Sequence, residues 1–210
     1  FNVLREYIKQ SKSILFEGNG YSEEWKKEAK KRGLSNNIST PEALKVKVSE
    51  SVLNLFSELG VMNATESRAR YEIEMEEYVM RLQIESRVLG DVARNHVVPT
   101  AVTYQNRLIQ NVTGLKEIYG SDYKSLAKEA MSLIEAISAH IGSINSMVSE
   151  MTEERKKANV LTDIVEKAGA YSTNVKPYLF DIRYHCDKLE LLVDDELWPL
   201  TKYRELLFTN

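Results

Sequence analysis

Residues that break helices are scarce in this sequence. It holds only 9 glycines and 4 prolines among 210 residues, and they cluster at a few points. A chain rich in β-strands would need turn residues roughly every 8 to 12 positions. The scarcity therefore excludes all-β and α/β folds and predicts an almost entirely helical protein.

Disulfides, membrane spans and a strong charge are missing as well. The single cysteine, Cys186, cannot close an internal disulfide, and no apolar run approaches the ~20 residues that cross a membrane. A net charge of -3 provides no broad positive field that would attract nucleic acid or acidic lipids. No signal peptide is visible, so we expect a cytoplasmic protein without nucleic-acid or membrane partners.

Helical periodicity, in contrast, is abundant. From Thr65 to Tyr119 apolar positions alternate in steps of four and three, and Pro99 should kink or break this helix. Gly120 is positioned to cap its end. The stripe ahead of the proline consists of Tyr71, Met75, Tyr78, Leu82, Glu85, Leu89, Val92 and His96.

A second stripe runs from Leu126 to Ala168 without a skipped step. It predicts one helix over roughly residues 122–168, about 65 Å long at ~1.5 Å per residue and too long to bury its face inside a compact globule. A third stripe follows Pro177 and ends near Val193. The three stripes predict an all-α fold, an elongated antiparallel bundle of long helices with coiled-coil-like packing.

Shorter helices precede the bundle. One extends to about Phe16, a second covers Glu23–Arg32, and a third opens at Thr40-Pro41, where threonine caps and proline takes the first helical position. We therefore divide the chain into short helices in residues 1–64 and a long-helix bundle in residues 65–210.

The string GNGYSEEW, residues 18–25, raises the possibility of a phosphate-binding loop. It lacks a third glycine, a preceding strand and a Lys-Ser or Lys-Thr pair. Ser22 is a natural helix cap, and Glu23 and Glu24 in the first turn would repel a phosphate. The string is typical of a turn followed by a capped helix.

Two charged strings also favour solvated surfaces over sites. In KKEAKKR, residues 26–32, we expect Glu23 to pair with Lys27 and Glu28 with Arg32. The glutamates of RYEIEMEEY (residues 70–78) alternate with the apolar stripe and have arginines nearby, which does not favour the shifted pKa values of catalytic carboxylates. The acidic run at residues 194–196 is typical of a helix boundary.

The histidines are the most distinctive candidates for a site. His96 and His140 occupy stripe positions on two long helices, Glu85 occupies another, and His185 lies beside the third stripe, so a metal site inside the bundle is conceivable. The Glu-x-x-His spacing of bundle metal sites is absent, which favours structural histidines. Cys186 is predicted to be a buried packing residue.

None of these patterns supplies a nucleophile with a base, a cofactor fingerprint or a ligand set. We therefore assign no catalytic, cofactor-binding or metal-binding residue to this chain. On residue patterns alone it is a helical interaction or assembly domain.

Longer strings resemble the C-terminal part of type III glutamine synthetases, the large bacterial and cyanobacterial form. They match in order and spacing over most of residues 1–120, and the start at Phe1 inside an apolar helical pattern is typical of a segment of a longer protein. The strings are FEGNGYSEEWKKEAKKRGL (16–34), SRARYEIEMEEY (67–78) and IESRVLGDVARNHVVPTAVTYQNRLIQNVTGLKEIYG (84–120).

The resemblance implies a parent enzyme that joins glutamate and ammonia with ATP and magnesium or manganese ions in a homo-oligomeric ring. It implies that residues 1–34 end the catalytic region and that the rest is an added helical domain with an assembly or regulatory role. Its partners would be its own catalytic domain and neighbouring subunits, and the fragment alone would be inactive. The alternative is an unrelated helical protein-protein interaction module.

Overall fold

The computed structural model describes residues 1–207, without the side chains of Ser13, Tyr203 and Arg204. Within this range all regular structure is helical, which confirms the predicted all-α fold. The α-helices are α1 (Asn2–Gln10), α2 (Glu23–Lys31), α3 (Thr40–Lys45), α4 (Glu50–Glu58), α5 (Ala64–Val92), α6 (Val98–Tyr119), α7 (Tyr123–Leu126), α8 (Lys128–Val160), α9 (Ile164–Ala170), α10 (Lys176–Leu192) and α11 (Tyr203–Leu206). Short 3-10 turns cover Lys12–Ile14, Val46–Val48 and Gly120–Asp122, and π-helical turns cover Ala93–Val97 and Tyr171–Val175.

Polar caps fix where helices begin. The side chain of Asn63 accepts the backbone N–H of Glu66 at 2.9 Å, and the Glu66 carboxylate accepts the N–H of Asn63 at 2.8 Å. This reciprocal pair satisfies two of the free donors at the start of α5. At α3 the cap is Ser39 and not Thr40, which corrects the prediction, because Ser39 has the extended backbone of a cap and Thr40 is already helical.

The first long helix is continuous through Pro99. Residues 64–119 keep helical dihedral angles, and the π-helical turn Ala93–Val97 lies immediately before the proline-containing first turn of α6. The predicted break is therefore absent. A proline ring clashes with the carbonyl four residues back and removes a donor, and a wider turn there accommodates it without ending the helix. The π-helical turn Tyr171–Val175 precedes Pro177 in the same way.

The buried face of this first helix differs from the predicted stripe. Its buried positions recur in steps of four, four and three, which averages ~3.67 residues per turn and suits a straight helix better than a seven-residue repeat. Glu85 and His96 are therefore exposed, contrary to the prediction. From Tyr71 onward the buried positions are Tyr71, Met75, Val79, Leu82, Ser86, Gly90, Ala93, Val97 and Ala101, and Ser67 near the start of the helix is also buried.

The second long helix keeps the predicted seven-residue spacing but is shorter than expected. Its buried residues include Ile137, Ile144, Met151 and Ala158, and no turn occurs at Gly142. The helix ends at Val160, where Leu161 takes an extended conformation with ψ 133°. The apolar stripe continues in α9, so the periodicity of the sequence did not reveal the break between the two helices.

A cap marks this break. Asp163 accepts the backbone N–H of Glu166 at 2.8 Å and starts α9. The Asp-x-x-Glu spacing at residues 163–166 is a sequence signal for a new helix, and it predicts the break that the apolar stripe conceals.

Three long helical segments build the core: α5 continued by α6, then α8, then α10. α8 runs antiparallel to the first segment, because Gln105 of α6 donates to the carbonyl of Ile134. Arg94, which comes earlier in that segment, donates to the carbonyl of Asn145, which comes later in α8. α10 returns along α8 and also packs against α5. Gly90 lets α5 approach α8 closely, since a Cβ there would lie 3.3 Å from a methyl carbon of Val148.

The short helices differ in how they join the core. α3, α4 and the turn between them contact α5, and Leu44 and Val48 pack against the core. α1 buries no residue and α2 buries only Ala29. The division of the chain at residue 64 stays a prediction.

Candidate functional site

The turn before α2 is organised by its own side chains. The Asn19 side chain accepts the N–H of Tyr21 at 3.0 Å, and Ser22 Oγ accepts the N–H of Trp25 at 3.3 Å. The Trp25 ring lies 4.8 Å from that of Phe16, between ring centres. One backbone N–H at the start of α2 therefore already has a hydrogen-bond partner, in agreement with the prediction of a turn followed by a capped helix.

The basic helix α2 forms intrahelical ion pairs. Glu28 pairs with Arg32 at 2.7 Å, as predicted, but Glu23 pairs with Lys26 at 2.5 Å and not with Lys27. Side chains three residues apart are neighbours on a helix just as those four apart are, and Glu23 takes the nearer partner. These contacts lower the pKa of both glutamates, first through their side-chain hydrogen bonds to Lys26 and Arg32.

The acidic strings also make structural contacts. Glu74 joins Lys47 at 2.6 Å and so ties the turn after α3 to α5. Asp194 lies just beyond α10, as predicted, and pairs with Arg107 of α6 at 3.5 Å. Within residues 1–207, no three histidine, cysteine, aspartate or glutamate side chains gather in an arrangement that could hold a metal ion.

Two of the three histidines come together across the bundle. His140 of α8 and His185 of α10 lie with their Nδ1 atoms 2.8 Å apart, at hydrogen-bond distance, and both are half-buried. Such a bond needs one ring to donate and the other to keep a neutral, accepting nitrogen. The exposed His96 lies apart from this pair because the buried stripe of its helix passes through Val97.

The surroundings of His140 favour its neutral state. Burial lowers the pKa of His140, and the positive charges that His185 and Lys188 can carry lower it further. The Tyr184 ring packs edge-on to His185, with 5.2 Å between ring centres, and the Lys188 ammonium lies 5.3 Å from the centre of the Tyr184 ring. Among the described residues no third ligating side chain joins the pair, so the geometry is that of a polar contact between two helices.

Cys186 follows His185 in the sequence, and its side chain is buried in the core of the bundle. Its side chain belongs to the apolar cluster of the bundle, which confirms the predicted packing role. Burial raises the pKa of its thiol to about 11, so the reactive thiolate is disfavoured at neutral pH.

A large open groove lies at α1, outside the bundle core. It encloses about 1050 Å³ and combines apolar side chains with an excess of basic ones. Its lining consists of Phe1, Leu4, Arg5, Ile8, Lys9, Lys12, Leu15, Glu17 and Arg32. The sequence analysis did not predict this groove, although the first helix carries basic and apolar residues that line it.

Membrane insertion has no candidate helix here: among the described residues, none combines the length and the apolar character that a bilayer crossing needs.

Comparison with known proteins gives a consistent result. The family model for the glutamine synthetase C-terminal domain matches residues 1–116. A glutamine synthetase from Bacteroides fragilis is 49% identical over 100% of this chain, and one from Butyrivibrio fibrisolvens is 30% identical over 99%. A type-3 glutamine synthetase from Dictyostelium discoideum is 30% identical over 98% of the chain.

The chain matches only part of the length of each relative. The chain spans 29%, 29% and 28% of the lengths of these three relatives. Identity of 49% along the whole chain is incompatible with an accidental resemblance, so the alternative of an unrelated helical module is wrong.

Proposed function

This chain belongs to the family of glutamine synthetase C-terminal domains, and we propose that it is the non-catalytic helical domain of a type III enzyme. In this proposal the parent protein makes glutamine from glutamate, ammonia and ATP, with magnesium or manganese ions held by residues outside this chain. The domain supports the assembly or the regulation of a cytoplasmic, homo-oligomeric ring.

One observation carries the proposal: the apolar face of α1 has no partner within the described chain. Leu4, Tyr7 and Ile8 keep 65%, 64% and 60% of their surface exposed. Burial of apolar surface contributes about 25 cal/mol per Å², so a helix that buries none of its own face gains little from this fold. The remainder of a synthetase is a partner that could cover it.

The charge of the α1 groove specifies that partner further. Arg5, Lys9 and Lys12 line it beside a single acid, Glu17, while Arg32, which also lines it, is paired with Glu28. A complementary surface would present apolar side chains and carboxylates. Residues 1–34 then form the end of the catalytic region, while the bundle is the added domain.

The first experiment tests the docking of α1 in the parent synthetase. Leu4→Asp combined with Ile8→Asp should lower the melting temperature of the parent and disturb its oligomer, because two carboxylates would enter an apolar contact. The same pair should change the unfolding free energy of the 210-residue chain by no more than ~0.5 kcal/mol, as exposed substitutions do. Leu191→Asp on α10, where Leu191 is 78% exposed, is the matched control.

A second experiment tests whether this chain lacks a nucleotide site and whether the parent enzyme needs it for assembly or regulation. Calorimetry of the 210-residue chain with ATP and magnesium should give no heat of binding, because none of its residues is assigned to either ligand. A parent truncated before Thr65 should show an altered oligomer or an altered response to effectors in mass-resolved chromatography and activity assays. Binding of ATP by the fragment, or a truncated parent that assembles and responds normally, would contradict the proposal.

A further inference from the structure

A small groove between α5 and α8 gathers three arginines. It encloses about 280 Å³, and its lining includes Arg87 of α5, Arg94 of the π-helical turn that follows and Arg155 of α8. We call it the arginine groove. Gly90 lies in its wall and lets the two helices that carry the arginines approach each other.

The positive charge of the arginine groove is not neutralised within the described residues. Arg87, Arg94 and Arg155 form no ion pair with a described carboxylate. Asp91 is the single acid among the described lining residues, and its carboxylate already accepts from the side-chain amide of Asn95 at 2.5 Å. Three guanidinium groups against one carboxylate leave an excess of two positive charges, although the whole chain carries a net charge of -3.

A buried tyrosine beneath the helices senses the same charges. Burial raises the pKa of Tyr171, and the charges of Arg155 and Arg87 oppose that rise. Both guanidinium groups therefore lie near one point of the bundle. Like charges held close together repel each other, so the cluster is unfavourable unless an anion neutralises it.

The third arginine is fixed in place by α8. Arg94 is half-buried, and its Nη2 donates to the carbonyl of Asn145 at 2.8 Å and to the hydroxyl of Ser149 at 2.5 Å. The hydrogen bonds that the structure describes for Arg94 use this one nitrogen, which leaves Nε and Nη1 as further donors. A guanidinium held in this way needs little additional ordering to bind an oxyanion.

We propose that the arginine groove binds a small phosphate group, either inorganic phosphate or the phosphate of a small ester, through Arg87, Arg94 and Arg155. Guanidinium groups match the oxygens of phosphate with pairs of parallel hydrogen bonds, and two negative charges offset the excess of two positive ones. This ligand is separate from the assembly role of the domain.

The size of the arginine groove restricts the ligand. Sites that enclose drug-sized molecules have volumes of about 300–1,000 Å³, so a groove of about 280 Å³ is too small to enclose a nucleotide. Magnesium bound to ATP also occupies phosphate oxygens that the arginines would need. A phosphate site here is therefore consistent with the absence of ATP binding that we expect for this chain.

The test is isothermal titration calorimetry of the 210-residue chain with inorganic phosphate, at about pH 8 and at constant ionic strength in sodium chloride. Phosphate should bind at one site. Arg87→Gln and Arg155→Gln should each weaken binding at least about tenfold, because each removes charge-assisted hydrogen bonds to the anion. Arg155→Lys should recover only part of the affinity, since an ammonium group cannot form the paired hydrogen bonds of a guanidinium.

A matched control separates the site from the overall charge of the chain. Arg183→Gln removes the same charge from an exposed arginine of α10 that pairs with Asp187 at 3.5 Å, and it should leave phosphate binding unchanged. Circular dichroism should show the same helix content in all variants. Arg87 is exposed, so its replacement tests the site without endangering the fold.

Two further anions identify the ligand. Glycerol phosphate in place of inorganic phosphate shows whether the groove prefers an ester or the free ion, and tight binding of either supports the site. Malonate, a dicarboxylate, should bind at least about tenfold more weakly than phosphate. A chain that binds neither phosphate, a loss of affinity in Arg183→Gln equal to that in Arg87→Gln, or malonate binding as tight as that of phosphate would overturn the proposal.

Discussion

The bundle and α1 both carry an amphipathic pattern, but within the described residues the bundle buries its apolar face and α1 does not. Ile137 of α8 is fully buried while Ile8 of α1 is 60% exposed. Tyr171 is likewise fully buried and Tyr7 is 64% exposed. Periodicity therefore identifies a helix with an apolar face, and the location of its partner has to come from the packing.

The largest expected effect comes from matched isoleucine truncations in the 210-residue chain. Ile137→Ala should lower the free energy of unfolding by ~2–5 kcal/mol, because it removes buried contacts and leaves a cavity. Ile8→Ala should change it by no more than ~0.5 kcal/mol. Urea denaturation measures both, and equal losses would show that α1 is packed in solution. Leu133→Ala, at a half-buried residue of α8, should fall between the two.

Removing one hydroxyl group from each region sharpens the comparison. The Tyr171 hydroxyl donates to the side-chain oxygen of Asn159 at 2.8 Å and so ties the second π-helical turn to α8. Tyr171→Phe should cost about 0.5–1.5 kcal/mol, the usual net contribution of a hydrogen bond. Tyr7→Phe should have no measurable effect on the melting temperature, and a cost as large as that of Tyr171→Phe would be inconsistent with an exposed α1.

The histidine pair should make the bundle sensitive to acid. The pKa of His140 in the folded chain lies below its ordinary value of 6.5, so the unfolded chain binds the proton more readily. Stability should therefore fall as the pH drops through about 6.5 and level off below the folded pKa. His140→Gln should reduce this slope between pH 7.5 and 5.

The matched control for this titration is His96→Gln, at an exposed residue outside the pair. It should leave the pH dependence of the unfolding free energy as it is in the unsubstituted chain. An unchanged slope in His140→Gln would mean that protonation of the pair does not disturb the fold.

The smallest effects are expected on the solvated face of α8. Glu153 and Lys156 are exposed and pair with each other at 2.7 Å. Exposed pairs three residues apart contribute little, so alanine at either position should change stability by less than ~0.5 kcal/mol. A larger loss in urea denaturation would show that this face contacts something within the chain.

The sequence was informative at several points where local chemistry decides the structure. The helical fold was predicted from the scarcity of glycine and proline. The capped turn at Ser22 and the end of α6 at Gly120 were also predicted, and Gly120 adopts a positive φ of 58°. The break before α9 was also encoded, at Asp163, but the apolar stripe continued across it. Two helices in line bury the same face as one helix, so the stripe alone could not separate them.

What the sequence by itself determined is that the chain is helical, that its long helices are amphipathic and that it belongs with synthetase C-terminal regions. Only the tertiary structure decided that Ser86 and Val97 face the core in place of Glu85 and His96. It also decided that His140 meets His185. The reason is geometric: a π-helical turn or a small change in residues per turn rotates all later side chains, and contacts across helices depend on that accumulated rotation.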